Sequence, residues 1–419
     1  MFAVRMIISR RTLLFGLVVL MVIFISPEYS GAKPPLVRVK VAQTTSEFFI
    51  LPDKYVQVTC YNKGEKVAEY HAHTGLTLLL RSGKILLEEA KGILETELDQ
   101  LFLIPRRSNS YVSINGKKYR GNLRISLEDG SISMIGVNEV SLENYLRGVV
   151  PLEIGIKLIT SKRDREALKV QAVAARTYAL SKLGQYPDRP YDLESTVADQ
   201  VYGGVTNEEK IINRAIKQTA GEVLTNNRQL VKAYFHANCG GQTEFIEKAW
   251  PWKEAEEYLL ARSDSEYCSW APNYAWQESL SKAEAEEGIS GYLASLFKDS
   301  TYQCGSLQDL QIMERSGSGR IQLLKVITDR GEWEVKSDSI RWCFRRNAPK
   351  GAILPSTKFE IGVVKSELGE VFSVEFTGNG NGHGVGMCQI GALGRARAGQ
   401  SYRQILLHYY PGTKLVKRY

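Results

Sequence analysis

The chain has 419 residues, 43% of them hydrophobic, 24% charged and 10% aromatic, a balance that excludes wholesale disorder and leaves room for two or three cores. The formal net charge is +8 and the isoelectric point is near 9.0. A basic surface suits an anionic polymer, whether nucleic acid, an anionic lipid surface or a cell-wall glycan, and charge alone does not choose among them.

The N-terminus narrows that choice. Arg5, Arg10 and Arg11 precede an uncharged apolar run at residues 13–25, followed by Pro27 and the small residues Ser30-Gly31-Ala32. This is the order of a secretory signal with its cleavage site. The run is short against the roughly 20 residues of a membrane span, so a retained anchor through residues 13–25 is the competing reading. Ser9-Arg10-Arg11 is a loose twin-arginine match. The expectation is an exported protein of the cell envelope, in the periplasm or on the outer face of the cytoplasmic membrane. Export argues against a nucleic-acid partner, and the chain carries no interleaved aromatic and basic pattern of the kind that binds single strands.

Residues 33 to about 140 read as β-rich. Val37-Arg38-Val39-Lys40-Val41 alternates with period two, as a half-buried strand does. Asn115-Gly116, between Tyr111-Val112-Ser113-Ile114 and a polar strand, and Asp129-Gly130, between residues 123–127 and 132–135, predict two tight hairpins, since such dipeptides accept positive φ. The pattern changes at Ser141, which can cap a helix carrying Leu142, Tyr145, Leu146 and Val149 on one side. Pro151 should end or bend that helix. Further helices are predicted at 164–183, 213–222, 387–398 and 402–409, the last stopping at Pro411-Gly412. Residues 253–300 contain charged, helix-prone runs and read as a surface elaboration. Residues 321–335 read as a hairpin turning at Asp329-Arg330-Gly331.

Three features could carry chemistry. The first is the glycine-rich loop 378–386. It fits neither the dinucleotide G-x-G-x-x-G register nor a phosphate loop with its lysine. It is either a structural turn or a flexible backbone that approaches a ligand closely, with His383 inside it. The second is Glu153, just after Pro151-Leu152, with Lys169, Gln171, Arg176 and Tyr178 on the next helix. Lys169 and Arg176 are seven residues apart and share a helical face. Two cations there need a carboxylate, a substrate oxygen or developing negative charge as partner. The third is the set of six cysteines, at 60, 239, 268, 304, 343 and 388, with no C-x-x-C pair. They are either buried free thiols or disulfides, with Cys239–Cys268 the first candidate pair and Cys304–Cys343 the second. His236 and Cys239 form an isolated i, i+3 pair, too few ligands for a metal, so neither metal nor cofactor is expected.

Four ordered strings carry a resemblance. Val140-Ser-Leu-Glu-Asn-Tyr-Leu-Arg-Gly-Val-Val-Pro-Leu-Glu153 resembles the opening of the SpoIID/LytB domain, and Ala167-Leu-Lys-Val-Gln-Ala-Val-Ala-Ala-Arg-Thr-Tyr-Ala179 its second hallmark. Ala233-Tyr-Phe-His-Ala-Asn-Cys-Gly-Gly-Gln-Thr243 and Gly382-His-Gly-Val-Gly-Met-Cys-Gln-Ile-Gly-Ala392 follow in the same order. The resemblance covers about residues 110–250 and 345–419, and leaves 33–105 and roughly 253–330 unexplained. It implies an α+β fold with a mixed SpoIID-like core, surrounding helices and a β-rich N-terminal part. The implied division is 1–32 signal or anchor, 33–110 β-rich region, 111–252 core, 253–344 insertion and 345–419 remainder of the core.

The same resemblance implies a lytic transglycosylase cutting peptidoglycan glycan strands, preferentially those stripped of stem peptides. Its catalytic glutamate maps onto Glu153, and Lys169 and Arg176 take the positions of its important cations. Gln171, Tyr178, His236, His383 and Gln389 complete the expected substrate-binding set. A wall protein that stimulates an amidase is the alternative, with that amidase as partner. Some clostridial members carry a zinc site just before Gln-Val-Tyr, but the matching stretch here, residues 192–199, has neither His nor Cys, which argues against zinc at that position and weakens any link to sporulation. A single acid suffices for this chemistry because the sugar's own hydroxyl replaces water. That acid must start protonated, so burial should raise its pKa, and the two cations should pair elsewhere.

Overall fold

The period-two pattern at the start of the chain forms a strand, Leu36–Thr44, burying Val37 and Val39. The computed structural model describes residues 33–419 apart from 91, 108, 129, 131, 273 and 348; the signal or anchor expectation falls on residues outside that set. Leu36–Thr44 pairs antiparallel with Met134–Ser141, Leu36 opposite Ser141 and Thr44 opposite Met134. Both belong to a seven-stranded sheet, and a six-stranded sheet forms from strands between Glu47 and Arg120. Apolar residues of the two sheets, among them Val39, Leu103 and Ile125 from one and Phe48, Leu78 and Leu87 from the other, meet in one hydrophobic cluster. The fold is α+β, with the β-rich N-terminal part as expected.

The first hairpin dipeptide can be followed, whereas Asp129 of the second lies outside the described residues. Tyr111–Ile114 pairs with Lys117–Arg120, and Asn115 and Gly116 between them have φ of 49° and 81°, as a tight hairpin turn of this hand requires. The second connection is longer than a two-residue turn. Asn122–Leu127 and Met134–Ser141 pair up to Leu127 opposite Met134, so residues 128–133 bridge them. Glu128 closes this loop: its N–H donates to the Ser133 carbonyl at 2.9 Å and its carboxylate accepts from the Ser133 hydroxyl at 2.7 Å. Ile132 is therefore left exposed rather than opening the strand.

The helices are α1 Leu142–Ile154, α2 Asp164–Lys182, α3 Lys210–Gln218, α4 Ile246–Ala249, α5 Ser265–Cys268, α6 Lys282–Phe297, α7 Gln389–Arg397 and α8 Tyr402–Tyr409. Ser141 stands at the N-cap of α1 but makes no side-chain cap; the first helical N–H, of Leu142, donates to the Pro35 carbonyl at 2.9 Å. Pro151 does not end α1. The helix runs on to Ile154 and stops at Gly155, whose φ is 70°, a conformation glycine adopts without penalty. α3 begins three residues before its predicted start and stops at Gln218, before Gly221. α6 and α8 each start with a capping box, Ser281 with Glu284 and Ser401 with Gln404.

Residues 275–300, within the stretch read as a surface elaboration, join residues 301–379 in a second core, which includes strands of the segment expected to complete the first. Strands Ala275–Ser281, Val371–Asn379 and Phe359–Lys365 form one sheet, and Leu307–Arg315, Ile321–Thr328 and Gly331–Lys336 another. With α6 they bury Leu280, Ile289, Leu324, Phe344 and Phe376 in a second hydrophobic cluster. The charged run of α6 hid this, because only Ala285, Ile289 and Leu293 supply its main apolar contacts. Among the described residues, no helix is long and apolar enough to cross a membrane.

Candidate functional site

The continuation of α1 past Pro151 places Glu153 in the last helical turn, at the rim of a cleft of about 700 Å³. The cleft brings together Glu153, Tyr178, His236, His383 and Gln389 from the sequence-derived set. Its opposite wall comes from the 3₁₀ helix Ser337–Cys343 and the strand after it, through Asp338, Arg341, Trp342 and Arg345. The cleft therefore lies between the chain's two hydrophobic clusters.

Glu153 is half-buried. Burial pushes its carboxyl up to about 7, against smaller opposing effects of the Val201 N–H, which donates to Oε1 at 2.8 Å, and of the Gln389 amide. Its position at the carboxyl end of α1 acts in the same direction as burial, since exposed helix carbonyls disfavour an anion there. Two further carboxylates line the cleft, and both are tied. Asp199 accepts from the Tyr178 hydroxyl at 2.8 Å and the Glu194 N–H at 2.9 Å, with Lys182 Nζ 3.4 Å away. Asp338 pairs with Arg341 at 3.1 Å. Glu153, by contrast, has hydrogen-bond donors but no cation paired with it among the described residues.

Gln171 lies behind this arrangement. It is fully buried, and its Oε1 accepts from Gln389 Nε2 at 3.3 Å, so it meets the cleft only through Gln389. His383 accepts from the Val385 N–H through Nδ1 at 3.1 Å, and its Nε2 meets the Phe235 carbonyl at 3.0 Å. The proton therefore sits on Nε2 of a neutral ring, and burial holds the imidazole down to about 4. With both nitrogens engaged, His383 is a wall, packed 4.7 Å from the Trp250 ring. His236 Nδ1 meets the Val385 carbonyl at 3.2 Å and its Nε2 is buried without a partner among the described residues.

Lys169 and Arg176 do not line the cleft. Lys169 pairs with Glu166 at 2.6 Å and lies over the Tyr402 ring. Arg176 is fully buried, forks onto Glu143 at 2.7 and 3.0 Å, and donates to the carbonyls of Ile216 and Glu222. Of the partners open to these cations, structural carboxylates are the ones found. The residues not singled out from sequence are Asp199, Trp250, Asp338, Arg341 and Trp342. Only their residue types, aromatic and charged, could have signalled them, because the contacts cross between distant segments.

A separate group lies beneath α7. Cys239, Asp264, Cys268 and Cys388 are all buried, with one potential ligand atom from each within 4.8 Å of the others. Cys239 and Cys268, the first candidate disulfide, are free thiols with sulfurs 3.6 Å apart. The expectation that Cys239 stands alone with His236 is corrected: three groups distant in sequence surround its sulfur, while His236 turns to Val385. Cys304 and Cys343 are free as well.

Comparison with known proteins accords with this arrangement. The stage II sporulation protein family SpoIID matches residues 131–226, which include Glu153 and Gln171. A family described as a domain of unknown function matches residues 246–386, which include the opposite wall. An uncharacterized protein of Brachyspira hyodysenteriae is 31% identical over 306 residues, covering 73% of this chain and 74% of its own length. The amidase enhancer of Bacillus subtilis is 30% identical over 370 residues, covering 81% of this chain; the match spans about half, 49%, of that relative. Stage II sporulation protein D of Bacillus subtilis is 27% identical over 296 residues, covering 67% of this chain and 75% of its own length.

Proposed function

The chain belongs to the SpoIID family, and from that premise we propose that it is an exported lytic transglycosylase that cleaves peptidoglycan glycan strands with Glu153 as its only acid–base residue. The observation that carries this reading is the half-buried Glu153 carboxyl, raised to about 7 in a cleft whose other carboxylates are tied. A carboxyl titrating there holds its proton in a large fraction of molecules at neutral pH, as a general acid must.

Glu153 donates its proton to the glycosidic oxygen as the bond to the anomeric carbon breaks. The C6 hydroxyl of the same sugar then attacks that carbon, and its proton passes to the Glu153 carboxylate. The products are a 1,6-anhydro end and a free hydroxyl on the leaving sugar, with no water consumed and the acid restored. Ordinary glycosidases need a second carboxylate for water or for a covalent intermediate; here the substrate supplies the nucleophile. The Val201 N–H and the Gln389 amide orient the carboxyl. Trp250, Tyr234 and Trp342 offer flat apolar faces against which the C–H faces of sugar rings can stack. Lys169 and Arg176 hold the scaffold. The proposed setting is the cell envelope outside the cytoplasmic membrane, whether the signal is cleaved or retained as an anchor.

The test is digestion of denuded glycan strands followed by mass spectrometry for anhydro-sugar ends. The unaltered chain should produce them, and Glu153→Gln should lower the rate by at least about 100-fold. Ends produced equally by Glu153→Gln would sink the reading. The amidase-enhancer name of one relative favours a second reading, a wall-binding protein that stimulates an amidase. Glycan binding without new ends, together with faster amidase turnover, would select it.

A further inference from the structure

Beneath the cleft, three thiols and a carboxylate converge from three stretches of chain. Cys239 follows the strand Phe235–His236, Asp264 immediately precedes α5 and Cys268 ends it, and Cys388 precedes α7. All four are at most 1% exposed. Cys239 Sγ lies 3.6 Å from Cys268 Sγ and 3.8 Å from Asp264 Oδ2. In a tetrahedron with zinc–sulfur bonds of about 2.3 Å and zinc–oxygen bonds of about 2.1 Å, sulfurs stand about 3.8 Å apart and sulfur and oxygen about 3.6 Å. A disulfide requires about 2.0 Å and would leave the third sulfur unused. We infer that Cys239, Asp264, Cys268 and Cys388 bind a single zinc ion in a closed, structural site.

The surroundings suit an anionic metal centre. Backbone N–H groups of Cys239 and Gly391 donate to Cys388 Sγ at 3.3 and 3.2 Å, bonds that favour a thiolate over a thiol. Asp264 Oδ1 accepts from Arg395 at 2.9 Å, and Oδ2 from the Tyr409 hydroxyl at 2.5 Å, so the carboxylate is oriented by its own outer partners. Arg320, 1% exposed, and Lys358 donate to the carbonyls of Cys239 and Gly240 at 3.1 and 2.9 Å, and neither forms an ion pair among the described residues. Three thiolates and a carboxylate carry four negative charges. Zinc offsets two of them, Arg395 a third, and the cations beside the 239–240 turn the last. Gly391 belongs to the same design: a Cβ there would stand 1.8 Å from Asp264 Oδ2. Thiolate-rich ligation selects zinc over magnesium or calcium, and four protein ligands leave no open position for chemistry.

The ion would fasten Cys388, and with it the neighbouring Gln389 that hydrogen-bonds Glu153. The site does not depend on the glycan-cleavage reading, because its test reads metal and not activity. The full chain, purified without chelator, should carry one equivalent of zinc by mass spectrometry of the metals. Exchange with cobalt should give thiolate-to-cobalt charge-transfer absorption and the intense visible bands of a tetrahedral ion. Cys388→Ser should lower retained zinc at least about tenfold, and Asp264→Asn should weaken retention while keeping the sulfur-to-cobalt absorption. Should the Cys388 variant fail to fold, the cobalt spectrum of the unaltered chain decides. A chain that isolates without metal and takes up neither zinc nor cobalt would overturn the inference, as would a Cys239–Cys268 disulfide in an unreduced digest.

Discussion

Glu153 is a carboxyl whose protonation the fold favours, and that preference has a measurable sign. Its folded pKa is near 7 against an ordinary 4.5. Between those values the folded chain keeps a proton that the unfolded chain releases. The stability this group contributes is therefore complete below 4.5 and is lost as pH rises through about 7. Glu153→Gln removes the titration. Urea unfolding of both proteins should show the variant gaining on the unaltered chain by up to about 3 kcal/mol between pH 4 and pH 8; a constant difference would contradict the buried, protonated state. Arg176 behaves in the opposite way. It is fully buried on Glu143 and three carbonyls, so Arg176→Ala should cost about 3–5 kcal/mol in the same measurement by stranding Glu143. Its folded fraction should still bind glycan with unchanged affinity, because the guanidinium does not reach the cleft.

At the level of elements, two segments position the site: α1, which carries its carboxyl past a proline, and the glycine loop before α7. The loop's role as a close backbone approach is specific. Gly386 has φ of 69°, and a Cβ there would lie 2.2 Å from the Tyr234 carbonyl. Gly369 has φ of 79° with nothing within 4 Å of such a Cβ. Gly369→Ala should therefore cost only the backbone penalty, about 1–2 kcal/mol, whereas Gly386→Ala should cost clearly more by thermal unfolding and should also weaken glycan binding, because Tyr234 lines the cleft. The register of the loop ruled out a nucleotide site from sequence, but only the fold shows which glycine faces a carbonyl and which faces open space.

For the whole molecule, the decisive feature is that the cleft lies between two hydrophobic clusters. We propose that the second cluster, roughly residues 275–379, is a unit inserted into the first and supplies the far wall of the glycan groove. Trp342 is 45% exposed there and carries little of the core. Trp342→Ala should change stability by no more than about 0.5 kcal/mol while weakening glycan binding at least about fivefold in a pull-down with denuded strands. Unchanged binding would assign the groove to the first cluster alone.

How much was legible from sequence follows from the range of each interaction. Strand alternation at residues 37–41, the Asn115-Gly116 turn, α2 and α8 were readable because they depend on neighbours within a few positions. The ordered motifs made the family readable, and with it the choice of Glu153. The core beneath the charged run of α6 was not, since strands distant in sequence complete it. The sequence by itself determined the family, the fold class and the carboxylate to suspect. Only the tertiary structure decided that Lys169 and Arg176 pair with structural carboxylates, that Gln171 hydrogen-bonds Gln389 behind the cleft, and that Cys239, Asp264, Cys268 and Cys388 meet. The Lys169–Glu166 pair is local, three residues apart, but the Arg176–Glu143, Cys239–Cys388 and Gln171–Gln389 contacts join residues 33, 149 and 218 positions apart, which no local pattern encodes.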